Sequence, residues 1–488
     1  MDFVVLTCFV VYLALLLGIG VYSYTRSTTF DDYILGGRGL GKWTTALSAQ
    51  ASDMSGWLLM GLPGALYVSG LCESWIAIGL GIGTYLNWRF IAYRLRIFSV
   101  SLDNALTMPE YLSNRFHDNK NILKTLTAIF ITIFFLLYTA SAIVAGAKLF
   151  STIFDFSYLQ ALIVGWAIIL VYTFIGGFLA VCWTDFIQGS LMFLALVIVP
   201  STMLVMIGGP DEVGALLANE GSTYLKFSGS EEGINWISVL SNLAWGLGYF
   251  GMPHIVVRFM AIKDPKELKA SRIIATTWVA VTLFAAIVIG LVGRAFVLKY
   301  GIDLAASEAE TIFLVAIEYI FPSAVAGWLL AAVLSATMST ADSQLLVSAS
   351  SIANDLVKGF KNDISEKALL WISRISVLAI ALLALVIALD PNNSVMGLVS
   401  DGWAGLGGTF SAIMILSLFW RKTSLAGAVS GIVVGGLTVI IWLFFLKDTG
   451  IYALLPAFIL SALSIIVVSL MTPDKEAERL YDEAHKNL

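Results

Sequence analysis

Few residues in this 488-residue chain can do chemistry, because only 12% of it is charged. Asp53 stands out. It lies in Ser48-Ala49-Gln50-Ala51-Ser52-Asp53-Met54-Ser55-Gly56-Trp57, followed by Gly61-Leu62-Pro63-Gly64, all within a long apolar window. An acid at the centre of a membrane helix costs about 2.5–3.5 kcal/mol on insertion scales, so it calls for a function. Pro63 and the glycines favour a break in the helix. Carbonyls freed by such a break can coordinate a cation. Small residues also serve close helix packing, but packing does not require Asp53.

Two further stretches carry polar groups at membrane depth. Asn242-Leu243-Ala244-Trp245-Gly246-Leu247-Gly248-Tyr249-Phe250-Gly251-Met252-Pro253-His254 combines glycines, aromatics and a mid-segment proline. It reads as a second interrupted span, against the plainer reading of a kinked, glycine-packed helix. His254 by itself reads as a satisfied structural histidine. Leu334-Ser335-Ala336-Thr337-Met338-Ser339-Thr340-Ala341-Asp342-Ser343-Gln344 offers Ser339 and Thr340 hydroxyls. Hydroxyl and carbonyl oxygens are hard ligands that suit Na⁺ and other hard cations. Taken alone, this third stretch is better explained by hydrogen bonding between helices. Tyr138, Trp245 and Tyr249 can wall an apolar solute pocket. Glu73 and Asp185 fall near predicted membrane surfaces, where solvation or ion pairing accounts for them as well as transport does. Arg38 is a gate charge or a topology determinant, and Lys148 and Arg294 are expected to snorkel from span ends.

These residues need elements that hold them. The chain is 59% hydrophobic with a formal net charge of -5, whereas soluble domains carry roughly 25% charged residues. Apolar runs cover its whole length, which implies one all-α integral membrane domain. Windows of spanning length fall near 3–22, 43–69, 73–93, 123–149, 158–181, 186–208, 235–259, 271–297, 311–355 (with a bend expected at Pro322), 369–389, 395–419, 424–445 and 451–471, about thirteen helices. The first lacks a basic leader and a cleavage site, so it reads as a retained helix.

Placing the N-terminus outside puts 23 of the 28 Lys and Arg residues on the cytoplasmic side. These include Arg26, Arg38 and Lys42, Arg89 to Lys124, Arg258 to Arg272, Lys358, Lys361, Lys367, Arg374, Arg421 and Lys422, and the tail. Lys148, Lys226, Arg294, Lys299 and Lys447 remain outside, with an acidic loop of Asp211, Glu212, Glu231 and Glu232. That bias fits the positive-inside rule and sets the C-terminus inside. The two interrupted spans are second and seventh, five apart, as expected for a binding site between inverted repeats.

The chemistry that composition excludes is broad. No basic face or recognition motif points to nucleic acid. Cys8, Cys72 and Cys182 lack metal-ligand spacing, and no nucleophile cluster suggests an enzyme. Gly36-Gly37-Arg38-Gly39-Leu40-Gly41 lacks the strand and the Lys-Ser/Thr ending of a phosphate loop. No repeated filter suggests a channel, and the tail after Met471 is too short for a signalling domain.

The chain resembles the sodium/solute symporter family over nearly its whole length. The resemblance is carried by residues 51–65 (Ala51-Ser52-Asp53-Met54-Ser55-Gly56-Trp57-Leu58-Leu59-Met60-Gly61-Leu62-Pro63-Gly64-Ala65) and by Ala244-Trp245-Gly246-Leu247-Gly248-Tyr249-Phe250-Gly251. It is carried also by Gly176-Gly177, Ala180-Val181, Trp183-Thr184-Asp185-Phe186-Ile187-Gln188-Gly189, Met338-Ser339-Thr340 and Gln344-Leu345-Leu346. It implies a leucine-transporter-type fold in one membrane domain spanning 1–488: a leading helix and loop (1–42), two inverted repeats of five (43–208 and 235–419), two extra helices (424–471) and a cytoplasmic tail (472–488). It implies a sodium site from the carbonyls of Ala51, Met54 and Ala336 with the hydroxyls of Ser339 and Thr340. It implies that Asp53 is essential for sodium coupling, that Ser55, Trp57 and Gly61 lie near the substrate, and that Tyr138, Trp245 and Tyr249 line its pocket. The first two stretches lean towards proline as the solute, imported with Na⁺ across the cell membrane. The alternative within the family is another amino acid, a sugar or a vitamin.

Overall fold

The computed structural model describes residues 2–24, 30–175, 177–231, 233–360 and 364–488. Arg26, Gly176, Glu232 and Lys361 lie outside the described residues. Among those described the chain is helical, with one isolated bridge between Leu40 and Ile262. Helices suit an apolar medium because they satisfy their backbone groups internally.

Helix α1 (Phe3–Tyr24) precedes a short α2 (Phe30–Leu35). Helix α3 (Lys42–Asp53) stops at Met54 and Ser55, and a π-helical stretch Trp57–Gly61 then leads into α4 (Leu62–Ser69). Helix α5 (Ser74–Leu86) runs through another π stretch, Asn87–Ile91, into α6 (Ala92–Ser101). Then follow α7 (Met108–Arg115), α8 (Ile122–Phe154), α9 (Tyr158–Ile175), α10 (Phe178–Ile207) and α11 (Pro210–Leu217). Helix α12 (Trp236–Leu243) tightens into a 3₁₀ stretch, Ala244–Gly251. Met252, with an extended backbone (ψ 108), ends that stretch before α13 (Pro253–Ala261).

Helices α14 (Leu268–Tyr300), α15 (Ile312–Ile320) and α16 (Ser323–Ser350) come next. The bend expected at Pro322 is a full interruption, since Pro322 itself is extended. A π stretch, Ser351–Val357, and α17 (Lys358–Phe360) extend α16. Helices α18 (Glu366–Ala388), α19 (Val395–Phe419), α20 (Leu425–Phe445), α21 (Leu454–Met471) and α22 (Lys475–His485) complete the chain. The side chains of Ser365, Ser394, Ser424 and Asp474 cap α18, α19, α20 and α22, each accepting from a first-turn N–H.

Nine of the described helices are long and apolar enough to cross a membrane. Burial separates inner from outer ones. The apolar windows of α16 and α19 are each 83% buried, against 28% for α21, so α16 and α19 form the core while α21 faces outward. Helix α16 packs on α8 and α10, and α19 packs on α8 and on the 3₁₀ stretch. Backbone meets backbone between α5 and that stretch: a methyl added at Gly246 would overlap the carbonyl oxygen of Gly79. Only glycine permits that approach.

Candidate functional site

The two interruptions meet at the centre. Because α3 ends at Asp53, its last carbonyls lack helical partners. The Asp53 carbonyl is satisfied by three donors: the backbone N–H of Ser55 (2.9 Å), the indole N–H of Trp57 (2.9 Å) and the hydroxyl of Tyr138 (3.1 Å). Across the gap, the Tyr249 hydroxyl donates to Asp53 Oδ2 at 2.6 Å. Asp53 is fully buried, and its Oδ1 has no hydrogen-bond partner among the described residues. Asn87 in turn donates from Nδ2 to the Tyr249 carbonyl (2.9 Å), fixing the 3₁₀ stretch against the end of α5.

Three of the expected cation ligands, Ala51, Ala336 and Ser339, meet. Ser339 Oγ on α16 donates to the Ala51 carbonyl at 2.7 Å and lies 3.4 Å from the Ala336 carbonyl. Met54 caps α3, its N–H donating to the Gln50 carbonyl. Thr340 Oγ1 is buried without a partner among the described residues, and an orphaned buried oxygen carries a desolvation cost that a bound cation would remove. All the donors are oxygen, the type a hard cation takes.

Ser55 adjoins this cluster, and its hydroxyl accepts from the backbone N–H of Trp57 (3.3 Å). Trp245 lies to one side, stacked on Tyr452 with ring centroids 5.0 Å apart. Gly61 ends the π stretch against Met396, outside the Asp53–Tyr249–Tyr138 cluster. The aromatics are tied together by a residue the sequence did not single out. Trp403 on α19 donates to the Trp245 carbonyl (2.8 Å) and meets Tyr249 and Tyr138 edge-on at 5.1 and 6.5 Å. Its signal was the small-residue run around it, Gly402, Ala404 and Gly405.

A second polar cluster lies next to the first, along α3. Asp185 is not in a solvated loop: it is fully buried in α10, accepting from Ser48 (2.6 Å) and Ser52 (3.1 Å), and it forms an ion pair, as one reading of it expected, with Arg258 at 3.3 Å. Arg258, counted above as a cytoplasmic loop charge, is buried too and also donates to Ser343 (2.6 Å) and to the His254 carbonyl (2.5 Å). Both surprises have one cause. The apolar windows put a loop where α10 has already begun, and put Arg258 at a span end where α13 turns it inward.

Other expectations change as well. His254 is buried with neither ring nitrogen hydrogen-bonded among the described residues; its ring instead meets the edges of Phe135 and Tyr138. Lys148 and Arg294 pair with Glu310 and Glu220, each at 2.5 Å. Arg38 donates to the carbonyls of Met260 (2.5 Å) and Ala105 (2.7 Å), tying the first loop to α13 and to the segment after α6. Glu73 lies 3.4 Å from the Asn242 amide.

The chain is similar to known proteins over nearly all of its length. A family model described as the sodium:solute symporter family matches residues 33–435. A sodium/proline symporter of Haemophilus influenzae is 45% identical, covering 99% of this chain and 97% of that protein. A sodium/proline symporter of Escherichia coli (strain K12) is 43% identical, covering 98% and 96%. An osmoregulated proline transporter of Bacillus subtilis (strain 168) is 42% identical, covering 98% and 97%. Among solved structures, a Na⁺-coupled sialic acid symporter in a substrate-bound outward-open state matches with a TM-score of 0.81 at 19% identity, covering 97% of this chain and 99% of that one. The crystal structure of MhsT in complex with L-phenylalanine matches with a TM-score of 0.55 at 14% identity, covering 88% and 98%. At these identities the likeness to the solved structures is one of fold.

Proposed function

Because the chain belongs to the sodium:solute symporter family, we propose that it imports proline with Na⁺ across the cell membrane by alternating access. The observation that carries this reading is the hydrogen bond from Tyr249 to Asp53, which joins the two interrupted segments at one point. Relatives named for proline, at 42–45% identity over nearly the full length, support the choice of solute.

In this reading Na⁺ binds between the carbonyls of Ala51, Met54 and Ala336 and the hydroxyls of Ser339 and Thr340. It takes the place of the hydroxyl proton that Ser339 directs at Ala51, and it fixes the gap between α3 and the π stretch. A fixed gap aims Asp53 at Tyr249 and completes the wall of Ser55, Trp57, Tyr138, Trp245 and Tyr249 for proline, while Gly61 acts from beside it against Met396. Coupling then follows from differential affinity: the ion favours the state that holds the solute, and the solute favours the state that holds the ion. One charge crossing roughly 100 mV supplies about 2.3 kcal/mol. A tenfold Na⁺ gradient adds about 1.4 kcal/mol. Together they support roughly 500-fold accumulation at one ion per solute.

The same reading gives thirteen spans, with the N-terminus outside and the C-terminus inside. The nine long helices are joined by α9 and by three composite spans, α3 with α4, α5 with α6, and α12 with α13. The repeats are 43–208 and 235–419, after a leading segment (1–42) and before two extra helices (424–471) and a tail (472–488). Matched packing supports this division: α10 lies on α3 as α19 lies on the 3₁₀ stretch, and α8 lies on α19 as α16 lies on α10.

Competition of labelled proline uptake by unlabelled amino acids, sugars and vitamins, with and without Na⁺, tests the solute. Unlabelled proline is expected to compete best and only with Na⁺ present. Failure of proline to compete at any concentration would move the reading to another small solute.

A further inference from the structure

A cleft of about 330 Å³ opens between the π stretch Asn87–Ile91 and the start of α14. Trp88, Arg89, Tyr93, Lys266, Lys269 and Arg272 line it. Pro265 and Leu268 complete the lining of eight residues, of which four are cations, and none of the four forms an ion pair among the described residues. Asp264 and Glu267 share the preceding loop, but neither lines the cleft, and Asp264 Oδ1 is engaged by the Lys266 N–H at 2.9 Å. An uncompensated group of cations attracts an anion. The first-turn N–H groups of α14, a 33-residue helix, add their dipole at the same end.

A second observation identifies the cleft as a built site. Trp88 is only 3% exposed, and its indole N–H has no acceptor among the described residues. A buried donor left unpaired costs about 1–3 kcal/mol, which an acceptor oxygen in the cleft would recover. The surroundings identify the source of that oxygen. Ile82 (53% exposed), Tyr85 (48%) and Phe90 (47%) leave apolar surface open on α5 and the π stretch, and Ile273 (58%) does so on α14. Arg272 stands 5.9 Å from the Tyr85 ring. Cations and aromatics therefore crown two apolar, lipid-facing segments, the arrangement that meets a phospholipid headgroup at a membrane surface.

We propose that this cleft binds the phosphate of an anionic phospholipid, with Arg89, Lys266, Lys269 and Arg272 neutralising it and Trp88 donating a hydrogen bond. The site is separate from the Asp53 cluster and does not depend on the identity of the solute. A bound lipid would tie the end of α5 to the start of α14, two helices that already pack together.

Native mass spectrometry of the full chain in detergent, titrated with phosphatidylglycerol, tests it. Phosphatidylcholine is the zwitterionic comparison and inorganic phosphate the competitor. Phosphatidylglycerol is expected to be retained over phosphatidylcholine. The double variant Arg89→Gln/Lys269→Gln is expected to lose about 25-fold in retention, from about fivefold per cation. Trp88→Phe, which keeps the net charge, should lose about fivefold. Lys226→Gln/Lys447→Gln, with the same charge change at positions elsewhere, should match the parent. Equal retention of both lipids would overturn the proposal, as would an equal loss in the two double variants or a parent-like Trp88→Phe. Displacement of phosphatidylglycerol by inorganic phosphate would reassign the cleft to a free anion and overturn the lipid assignment.

Discussion

Replacing Tyr249 with phenylalanine deletes one hydroxyl and keeps the ring that meets Trp403 at 5.1 Å. That hydroxyl is the donor to Asp53 Oδ2, and Asp53 Oδ1 has no partner among the described residues. The variant therefore leaves a fully buried carboxyl group with no hydrogen bond to its side chain among the described residues. A hydrogen bond to a charged group is worth about 1.5–3 kcal/mol, which corresponds to roughly 10- to 150-fold. The bond bridges the two interrupted segments, so its loss weakens the closed arrangement that holds ion and solute together. Initial rates of labelled proline uptake into proteoliposomes, measured across a Na⁺ titration, should show uptake efficiency down within that range and half-saturation by Na⁺ moved upward. A thermal melt of the purified variant separates this from loss of fold. A folded variant whose Na⁺ half-saturation and uptake efficiency match the parent would show that the bond plays no part in coupling.

Other perturbations probe separate parts of the account. Thr340→Val replaces an unpartnered buried hydroxyl by a methyl of similar size, so stability should hold while the Na⁺ needed for half-maximal uptake rises; an unchanged Na⁺ requirement would remove Thr340 from the ion site. Arg258→Met strands the buried Asp185 and should cost about 3–5 kcal/mol in stability, whereas Asp185→Leu/Arg258→Met should melt above the Arg258→Met single variant. Gly246→Ala places a methyl on the Gly79 carbonyl oxygen and should abolish uptake, while Gly214→Ala, with open space around it, should be neutral in the same assay. Arg421 hydrogen-bonds Asp482 and holds its carboxyl below the usual carboxylate range. A lowered carboxyl pKa stabilises docking above the ordinary value and loses that contribution as pH falls through the lowered one. Hydrogen exchange in α22 should therefore be steady near neutral pH and quicken only in acid, after correction for the intrinsic rate.

How far the sequence could be read depends on which residues carried the signal. The gap after Asp53 and the change of backbone at Met252 were legible because Pro63, Pro253 and the glycines around them disfavour a continuous helix. The meeting of Ala51 with Ser339 followed from oxygen-rich composition in two distant stretches together with the family resemblance. Hydropathy windows blur helix ends by several residues, and so they misplace Asp185 and Arg258. The window beginning at 186 left Asp185 in a loop, whereas α10 starts at Phe178 and buries it two turns in. Trp403 was hidden among the chain's 14 tryptophans, since nothing in its local sequence says which face of α19 meets Tyr138. The segment after Met471 read only as a tail. It forms α22, whose Tyr481 is buried beside the Arg115 guanidinium, because burial there depends on a partner more than 360 residues away.

Symport as proposed above requires that proline move because Na⁺ moves with it. Proteoliposomes holding the purified chain, given labelled proline outside, show whether this holds when an inward Na⁺ gradient is compared with an equal inward K⁺ gradient. Proline concentrated inside above its external level under Na⁺, collapsing when the Na⁺ gradient is dissipated and absent under K⁺, is the predicted result. Equal proline entry under both gradients, levelling at the external concentration, would contradict it.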